Sequence, residues 1–196
     1  MRTQRAVTAL ALALVLCPMS ARAHLITTGL GPVYDGITHF ALTPEDLLPA
    51  LALAILAGLR GKPHARMAIF ALPLAWLVAG IVGASATTGI PDSMSWLPLL
   101  VMGGLVAADL KLSVFAVTTI AVLLGLVLGY ANGYAMAHAG PGVRGVLGIV
   151  VAVFAVTTLG AAGAGAWQAG WLRIAWRVAG SWIAAGGLLL LGWSLR

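Results

Sequence analysis

The chain has 196 residues, of which 61% are hydrophobic and only 8% are charged. A soluble domain carries about 25% charged residues, and a chain of this size cannot hide so much apolar surface in one core, so a soluble fold is excluded. The net charge of +6 does not indicate nucleic-acid binding, because the basic residues stand at the ends of apolar runs rather than in one patch. We predict an all-α, polytopic transmembrane helical bundle whose outer surface faces the lipid bilayer.

The first 23 residues have the three parts of a secretory signal peptide. A positively charged start precedes an apolar stretch from 6 to 17, and Ala21-Arg22-Ala23 forms a small-residue cleavage site. Cleavage after this site makes His24 the mature N-terminus; an uncleaved seventh helix is the alternative. The single cysteine, Cys17, lies inside this segment, so the mature chain is expected to hold no disulfide.

Six apolar runs follow the signal segment. Each is near the roughly 20 residues that a membrane-spanning helix needs, although the first and third are short. No clear internal repeat or linker separates them, so residues 24–196 are predicted to form one transmembrane domain. Gly125, Gly129 and Gly133 recur every fourth residue, a spacing that predicts close helix packing. The runs cover residues 44–60, 67–87, 95–110, 112–131, 143–167 and 171–195.

Loop charges predict the orientation of this bundle, because Lys and Arg favour the cytoplasmic side of a membrane. Basic residues lie between the first and second runs, between the third and fourth, and after the fifth, whereas loops 88–95 and 132–141 contain neither Lys nor Arg. We therefore expect a multi-pass protein of a bacterial-type inner membrane with its mature N-terminus on the outer, periplasmic side. Because so few short helices enclose little space, a homo-oligomer is also expected.

Ionisable groups at membrane depth are costly, and they therefore mark candidate sites. The chain has only five acids and four histidines, and their densest group is Asp35, His39, Glu45 and Asp46. In a helical segment, the first two of these lie four residues apart on one face. An imidazole and several carboxylates suit a divalent transition-metal ion. His24 adds an imidazole and a free α-amine if cleavage occurs as predicted.

Other interpretations of these residues remain open. The sequence Thr43-Pro44-Glu45-Asp46 is also typical of a helix start, with its threonine as N-cap, its proline in the first helical position and its acids at the positive end of the helix dipole. His39 alone is equally consistent with a hydrogen-bonded interfacial histidine, and His24 with a residue that merely follows a cleavage site. Asp109, beside Lys111, is interpreted as an interfacial ion pair or anchor.

These residues resemble the HupE/UreJ family of small membrane proteins linked to nickel or cobalt uptake. Its members also have a signal peptide ending in Ala-His, here Ala23-His24. They carry an early motif of the form Gly-x-x-His-x-x-x-Gly-x-Asp-His-Leu, matched by residues 36–47. His39 matches its first histidine. Glu45 stands at its aspartate position, and Asp46 stands at its second histidine.

The resemblance also shows departures from the family pattern. A late segment similar to His-Gly-x-Ala-His-Gly corresponds to residues 129–133, where Asn132 replaces one histidine and the other is absent. Thr43 replaces the second glycine of the early motif. This loss of imidazoles moves the expected preference away from Ni²⁺ and toward harder ions. The residues that the resemblance and the acid pattern together nominate as metal ligands are His39, Glu45 and Asp46, with Asp35 and His24 assisting and Asn132 as a weaker candidate.

The leading hypothesis is a permease, or a component of one, for a divalent transition-metal ion, with nickel or cobalt implied by the resemblance. The ion is substrate, and no permanently bound cofactor is expected. The alternative is a non-transporting accessory or scaffold subunit for metalloenzyme maturation. An enzyme is not expected. Ser85 lies in a Gly-x-Ser-x setting, but no histidine lies within a later run, and the zinc-protease motif His-Glu-x-x-His is absent.

Overall fold

The computed structural model describes residues 28–167 and 170–196, which form seven α-helices and one short 3-10 helix. The described part of the chain is thus all-helical, which confirms the predicted class. The predicted signal peptide and His24 lie outside the described residues. The helices are α1 (Pro32–Leu42), α2 (Pro44–Arg60), α3 (Lys62–Ala84), α4 (Trp96–Ala107), α5 (Val114–Ala139), α6 (Gly142–Ala166) and α7 (Gly170–Ser194), and the 3-10 helix covers Asp92–Met94.

Four helices, α3, α5, α6 and α7, are long and apolar enough to cross a membrane. Helices α1 and α2 together pass the same test as one span that is bent by 75°. Helix α4 is apolar but has only 12 residues. The six predicted runs correspond to α2 through α7, and α1 adds a helical segment in front of the first run.

The break between α1 and α2 follows from the Thr43-Pro44 sequence. A residue before proline disfavours the α region, and Thr43 accordingly has φ −103° and ψ 96°. Thr43 is the N-cap of α2 and Pro44 its first residue, as predicted, but the Thr43 side chain does not cap α2. Its Oγ1 instead donates a hydrogen bond to the carbonyl oxygen of His39 at 2.7 Å, which satisfies one terminal group of α1.

Two predicted boundaries are wrong by more than one helical turn. Helix α3 begins at Lys62 rather than at 67, and α5 continues to Ala139 rather than ending at 131. The extension of α5 contains Asn132, which the sequence analysis placed in a loop. Alanine and methionine sustain the helix there, and Gly133 lies against α3, so polar residues in this stretch did not end it.

Close backbone packing joins α3 to α5. A Cβ added to Gly129 would lie 2.5 Å from the carbonyl oxygen of Trp76, and one added to Gly133 would lie 2.0 Å from that of Gly80. The predicted role of this glycine series in close helix contact is therefore confirmed. Trp76 is fully buried and meets Phe40 of α1 edge-on, with ring centroids 5.8 Å apart. This contact ties α1 to the centre of the bundle.

Candidate metal-binding site

The break in the first span brings His39 and Asp46 together. His39 lies in the last turn of α1 and Asp46 in the first turn of α2. Their side chains converge with 4.0 Å between Nε2 and Oδ2, and they are only 15% and 8% exposed. A continuous helix would place residues seven apart about two turns, or roughly 10 Å, from each other along its axis. The bend is therefore what creates the pair.

Asn132 completes this group from α5. Its side chain lies beside both His39 and Asp46, and the residue is 3% exposed. Its Nδ2 donates to the carbonyl oxygen of Leu128 at 2.9 Å. Its Oδ1 is buried and has no hydrogen-bond partner among the described residues. A buried acceptor without a donor costs free energy, and it is available to a cation or to a donor that enters the site.

These three side chains offer one imidazole nitrogen and two kinds of oxygen. Two ligands that each lie about 2.1 Å from one ion can be at most about 4.2 Å apart, so the His39–Asp46 separation of 4.0 Å is compatible with a shared ion. The described residues contain no cluster of three or more His, Cys, Asp or Glu side chains suited to a metal. Asn132 is the further oxygen donor that this group offers beside the His39–Asp46 pair.

Glu45 is next to Asp46 in sequence but occupies a different environment. It is partly buried and makes no ion pair or hydrogen bond with any described residue. Together with Asp46 it lines a cleft of about 710 Å³ between α4 and α5. The remaining wall is almost entirely apolar and includes Leu97, Val101, Met102, Ile120, Leu124 and Leu128. The carboxylates thus stand at one end of an apolar cleft.

Asp35 is engaged outside this group. Its Oδ1 accepts hydrogen bonds from the backbone nitrogen of Thr28 at 2.6 Å and from its Oγ1 at 2.7 Å. Asp35 therefore fastens the segment that precedes α1 and does not converge with His39 and Asp46, despite the four-residue spacing. His24, the remaining nominated ligand, lies outside the described residues.

A second polar cluster lies at the opposite end of the bundle. Oδ1 of Asp109 accepts a hydrogen bond from the guanidinium of Arg60. Its Oδ2 accepts a second hydrogen bond from Nε of Arg173 at 2.6 Å. The hydrogen bond from Arg173 and then the contacts with Arg60 hold the pKa of Asp109 below its usual value. The predicted ion pair thus exists, with Arg60 and Arg173 as its partners. The separations of 49 and 64 residues leave no local sequence signal for these pairs.

The structure also shows where the two residue types of a serine protease, a serine and a histidine, lie in this protein. The statement that no histidine lies within a later span is wrong, because α5 reaches Ala139 and includes His138. The two side chains are nevertheless committed to other groups. Ser85 Oγ donates a hydrogen bond to the carbonyl oxygen of Val82 at 2.9 Å. Nδ1 of His138 lies 2.9 Å from the carbonyl oxygen of Tyr134. Neither bond is the serine–histidine contact that nucleophile activation requires.

Sequence comparison identifies the group of proteins to which these features belong. The model of the HupE / UreJ protein family matches residues 12–190, nearly the whole chain. Neither a curated protein nor a solved structure shows significant similarity to it. The family match covers both the broken first span and the α5 segment that carries Asn132. The chain therefore belongs to the HupE/UreJ family.

Proposed function

We propose that this protein is a membrane permease, or a component of one, for a divalent transition-metal ion, and that nickel or cobalt is its cargo. The observation that carries the proposal is the buried triad of His39, Asp46 and Asn132, in which Oδ1 of the asparagine has no partner among the described residues. Family membership supports the same conclusion, since the family is associated with nickel and cobalt transport or with urease and hydrogenase maturation.

The helix break supplies electrostatics as well as position. Helix α1 ends at the site, so the negative end of its dipole favours a cation there. Helix α2 begins at the site, and Asp46 offsets the positive end of that dipole. A dehydrated ion at this depth would bind the imidazole of His39 and the oxygens of Asp46 and Asn132. This mixed set holds an ion less tightly than three imidazoles would, which favours release as well as capture.

The basic residues of the α2–α3 junction support a site in the outer half of the membrane. Arg60, Lys62 and Arg66 favour the cytoplasmic side for that junction. Asn132 lies near the opposite end of α5, seven residues before Ala139. Uptake from the periplasmic side of an inner membrane fits this arrangement, because the ion then meets its ligands early in its path.

Uptake into proteoliposomes tests the proposal directly. Purified protein is reconstituted with a metal-sensitive dye inside, and Ni²⁺ or Co²⁺ is added outside. We expect influx with the wild type, and loss of influx with His39→Ala and Asp46→Asn. The matched control is His138→Ala, which removes an exposed histidine from the end of α5. No influx of either ion above empty vesicles would reject transport by this chain, and equal influx with His39→Ala and the wild type would reject the site.

The second candidate function is an accessory role in metalloenzyme maturation. It is favoured by one observation: only two of the described imidazole and carboxylate groups converge at the site, where three would be expected for tight capture. Members of the family are transporters or accessory proteins rather than known enzymes. Metal binding by the detergent-solubilised protein without vesicle uptake would support this role.

A further inference from the structure

The seven helices divide into two groups according to where their backbones touch. The core group consists of α1, α2, α3, α5 and α6, and the α4–α7 pair consists of the other two. Within the pair, a Cβ added to Gly103 would lie 2.4 Å from the backbone nitrogen of Ala184, and one added to Gly187 would lie 2.6 Å from that of Leu100. Helices in such contact move together, since no side chain between them can rearrange.

The same close contacts bind the core group internally. Gly58 of α2 lies against the backbone of Ala161 in α6, and Gly36 of α1 lies against Gly145 in α6. Among the described glycines, every such backbone contact stays within one group and none crosses between them. Across the boundary, α4 packs on α2 through side chains such as Leu99, Met102 and Val106. Side-chain contacts of this kind permit sliding in small steps.

The boundary is open along one side. The cleft of about 710 Å³ separates α4 from α5, and Glu45 and Asp46 line it. One wall of the cleft therefore belongs to the pair and the other to the core group. The candidate ligand Asp46 stands at the line where the two groups meet.

The polar ties that cross the boundary lie at the Arg60 end. The partly buried ion pair between Arg60, at the end of α2, and Asp109, just after α4, is the principal one. A longer bond joins Nε1 of Trp176 to the carbonyl oxygen of Trp167 at 3.4 Å. At the opposite end, no hydrogen bond or ion pair joins the two groups within the described ranges. The boundary is thus tied at one end and open at the other.

The outer connection between the groups has the form of a hinge. The core group holds its start, because Tyr130 Oη donates to the carbonyl oxygen of Thr88 at 2.8 Å and the Tyr134 ring lies against Gly89. The pair holds its far end, because the carbonyl oxygen of Trp96 lies against Gly187. The 3-10 helix Asp92–Met94 also packs on α7, so only Ile90 and Pro91 lie between the two attachments.

We propose that the α4–α7 pair moves as one rigid unit against the core group, and that the Arg60–Asp109 bond is a latch that holds the Arg60 end closed while the cleft at the opposite end reaches Asp46. Release of the latch opens the Arg60 end as the cleft narrows. This inference rests on the proposed function for its purpose, since such a motion exposes a metal bound at Asp46 first to one side and then to the other. The geometry of the two groups is independent of it.

Distance measurements between spin labels test the latch. In a Cys17→Ser background, cysteines at Leu74 of α3 and Leu189 of α7 form the cross-group pair. Cysteines at Leu74 and Leu159 of α6 form the within-core pair, and all three positions are exposed. We expect Arg60→Gln and Asp109→Asn to shift or split the cross-group distance distribution and to leave the within-core distribution unchanged.

The matched control is Arg173→Gln. It removes a cation from the same carboxylate, but Arg173 and Asp109 both belong with the α4–α7 pair, so the latch remains and the cross-group distribution should stay that of the wild type. An unchanged cross-group distribution in folded Arg60→Gln and Asp109→Asn overturns the proposal. Equal broadening of both label pairs also overturns it, because the groups would then not be rigid bodies.

A second measurement needs no change to the latch. Cysteines at Leu97 and Leu123 stand on the two walls of the cleft, and bifunctional maleimides of increasing length can bridge them. A moving pair is captured by short and long linkers alike, whereas a fixed cleft is captured by one length only, which rejects the motion. Neither experiment requires metal transport. A failure of the proposed motion can therefore be distinguished from a failure of the proposed function.

Discussion

His39 and Asp46 converge to 4.0 Å, although they belong to two helices that meet at 75°. Their separation therefore depends on how α1 is held, and α1 is held by its neighbours rather than by α2. Gly148 of α6 lies against the backbone of Val33, where an added Cβ would come within 2.0 Å of the carbonyl oxygen. Any change that loosens α1 should disturb the site before it disturbs the rest of the bundle.

Phe40→Ala should weaken both the fold and the site. Phe40 is 1% exposed and packs edge-on against Trp76, so truncation leaves a cavity next to His39. We expect a loss near the lower end of the roughly 3–5 kcal/mol seen in soluble cores, because lipid replaces water as the surrounding solvent. Thermal unfolding in detergent and Co²⁺ titration measure the two effects. Phe115→Ala, at a site 81% exposed, should change neither; equal losses would remove the special role of Phe40.

Asn132→His should strengthen the binding of Ni²⁺. The change supplies a second imidazole at the position where the family pattern has histidine, and imidazole is the better donor for this ion. We expect about a tenfold lower Kd for Ni²⁺, equivalent to ~1.4 kcal/mol, with a smaller gain for Mn²⁺. Isothermal titration of the purified protein with both ions measures the ratio. A ratio equal to that of the wild type would show that residue 132 does not contact the metal.

Gly133→Ala should separate α3 from α5. The new Cβ would lie 2.0 Å from the carbonyl oxygen of Gly80, which is backbone and cannot move aside cheaply. Overpacking of this kind costs about 1–3 kcal/mol. The control is Gly104→Ala, where nothing lies within 4 Å of the new methyl group. Thermal unfolding should show a lower Tm for the first variant only. A lowered Tm for both would contradict the role of this close contact, because alanine otherwise favours a helix over glycine.

The Asp109 cluster should make stability depend on pH in acid. Its arginine partners lower the pKa of Asp109 in the folded protein below the usual value for an aspartate. The unfolded state therefore binds the proton more tightly, so the stabilisation is complete above about pH 5 and is lost as the pH falls through the folded pKa. We expect the Tm advantage of the wild type over Asp109→Asn to be constant from about pH 7 to 5 and to shrink below about pH 4.

Comparison with the variant isolates Asp109 from the other acids, which titrate in both proteins. A Tm advantage that stays constant down to about pH 3 would mean that the carboxylate is not paired in the folded state. A Tm advantage over Asp109→Asn that disappears already near neutral pH would also mean that the carboxylate is not paired in the folded state.

Composition and the lengths of the apolar runs were sufficient to predict the class of the fold, because a bilayer imposes long apolar helices whatever the tertiary packing. The start of α2 was equally predictable, since proline and the preceding residue act locally. The 75° bend between α1 and α2 was not predictable from the sequence. Its angle is set by how α1 packs on α6 and how Phe40 meets Trp76, and contacts between distant segments leave no periodic signal.

The candidate site was predicted in part for the same reason. His39 and Asp46 were nominated as charged groups at membrane depth, and the bend then joined them. Asn132 was the weaker candidate because it stands where the family pattern has a histidine, and its position beside His39 and Asp46 depends on how α5 packs. Asp35 was grouped by its spacing from His39, but its partner is Thr28, a short-range hydrogen bond that spacing along a helix does not show.

Helix α4 has a consequence for the membrane itself. Its 12 residues span about 18 Å, whereas the hydrocarbon core of a bilayer is about 30 Å thick. Lipid beside α4 has to thin, or polar headgroups have to dip inward, to match so short a helix. This deformation falls beside the cleft that Asp46 lines. A bilayer thinned at this position would shorten the low-dielectric distance that a charged solute has to cross to reach the carboxylate.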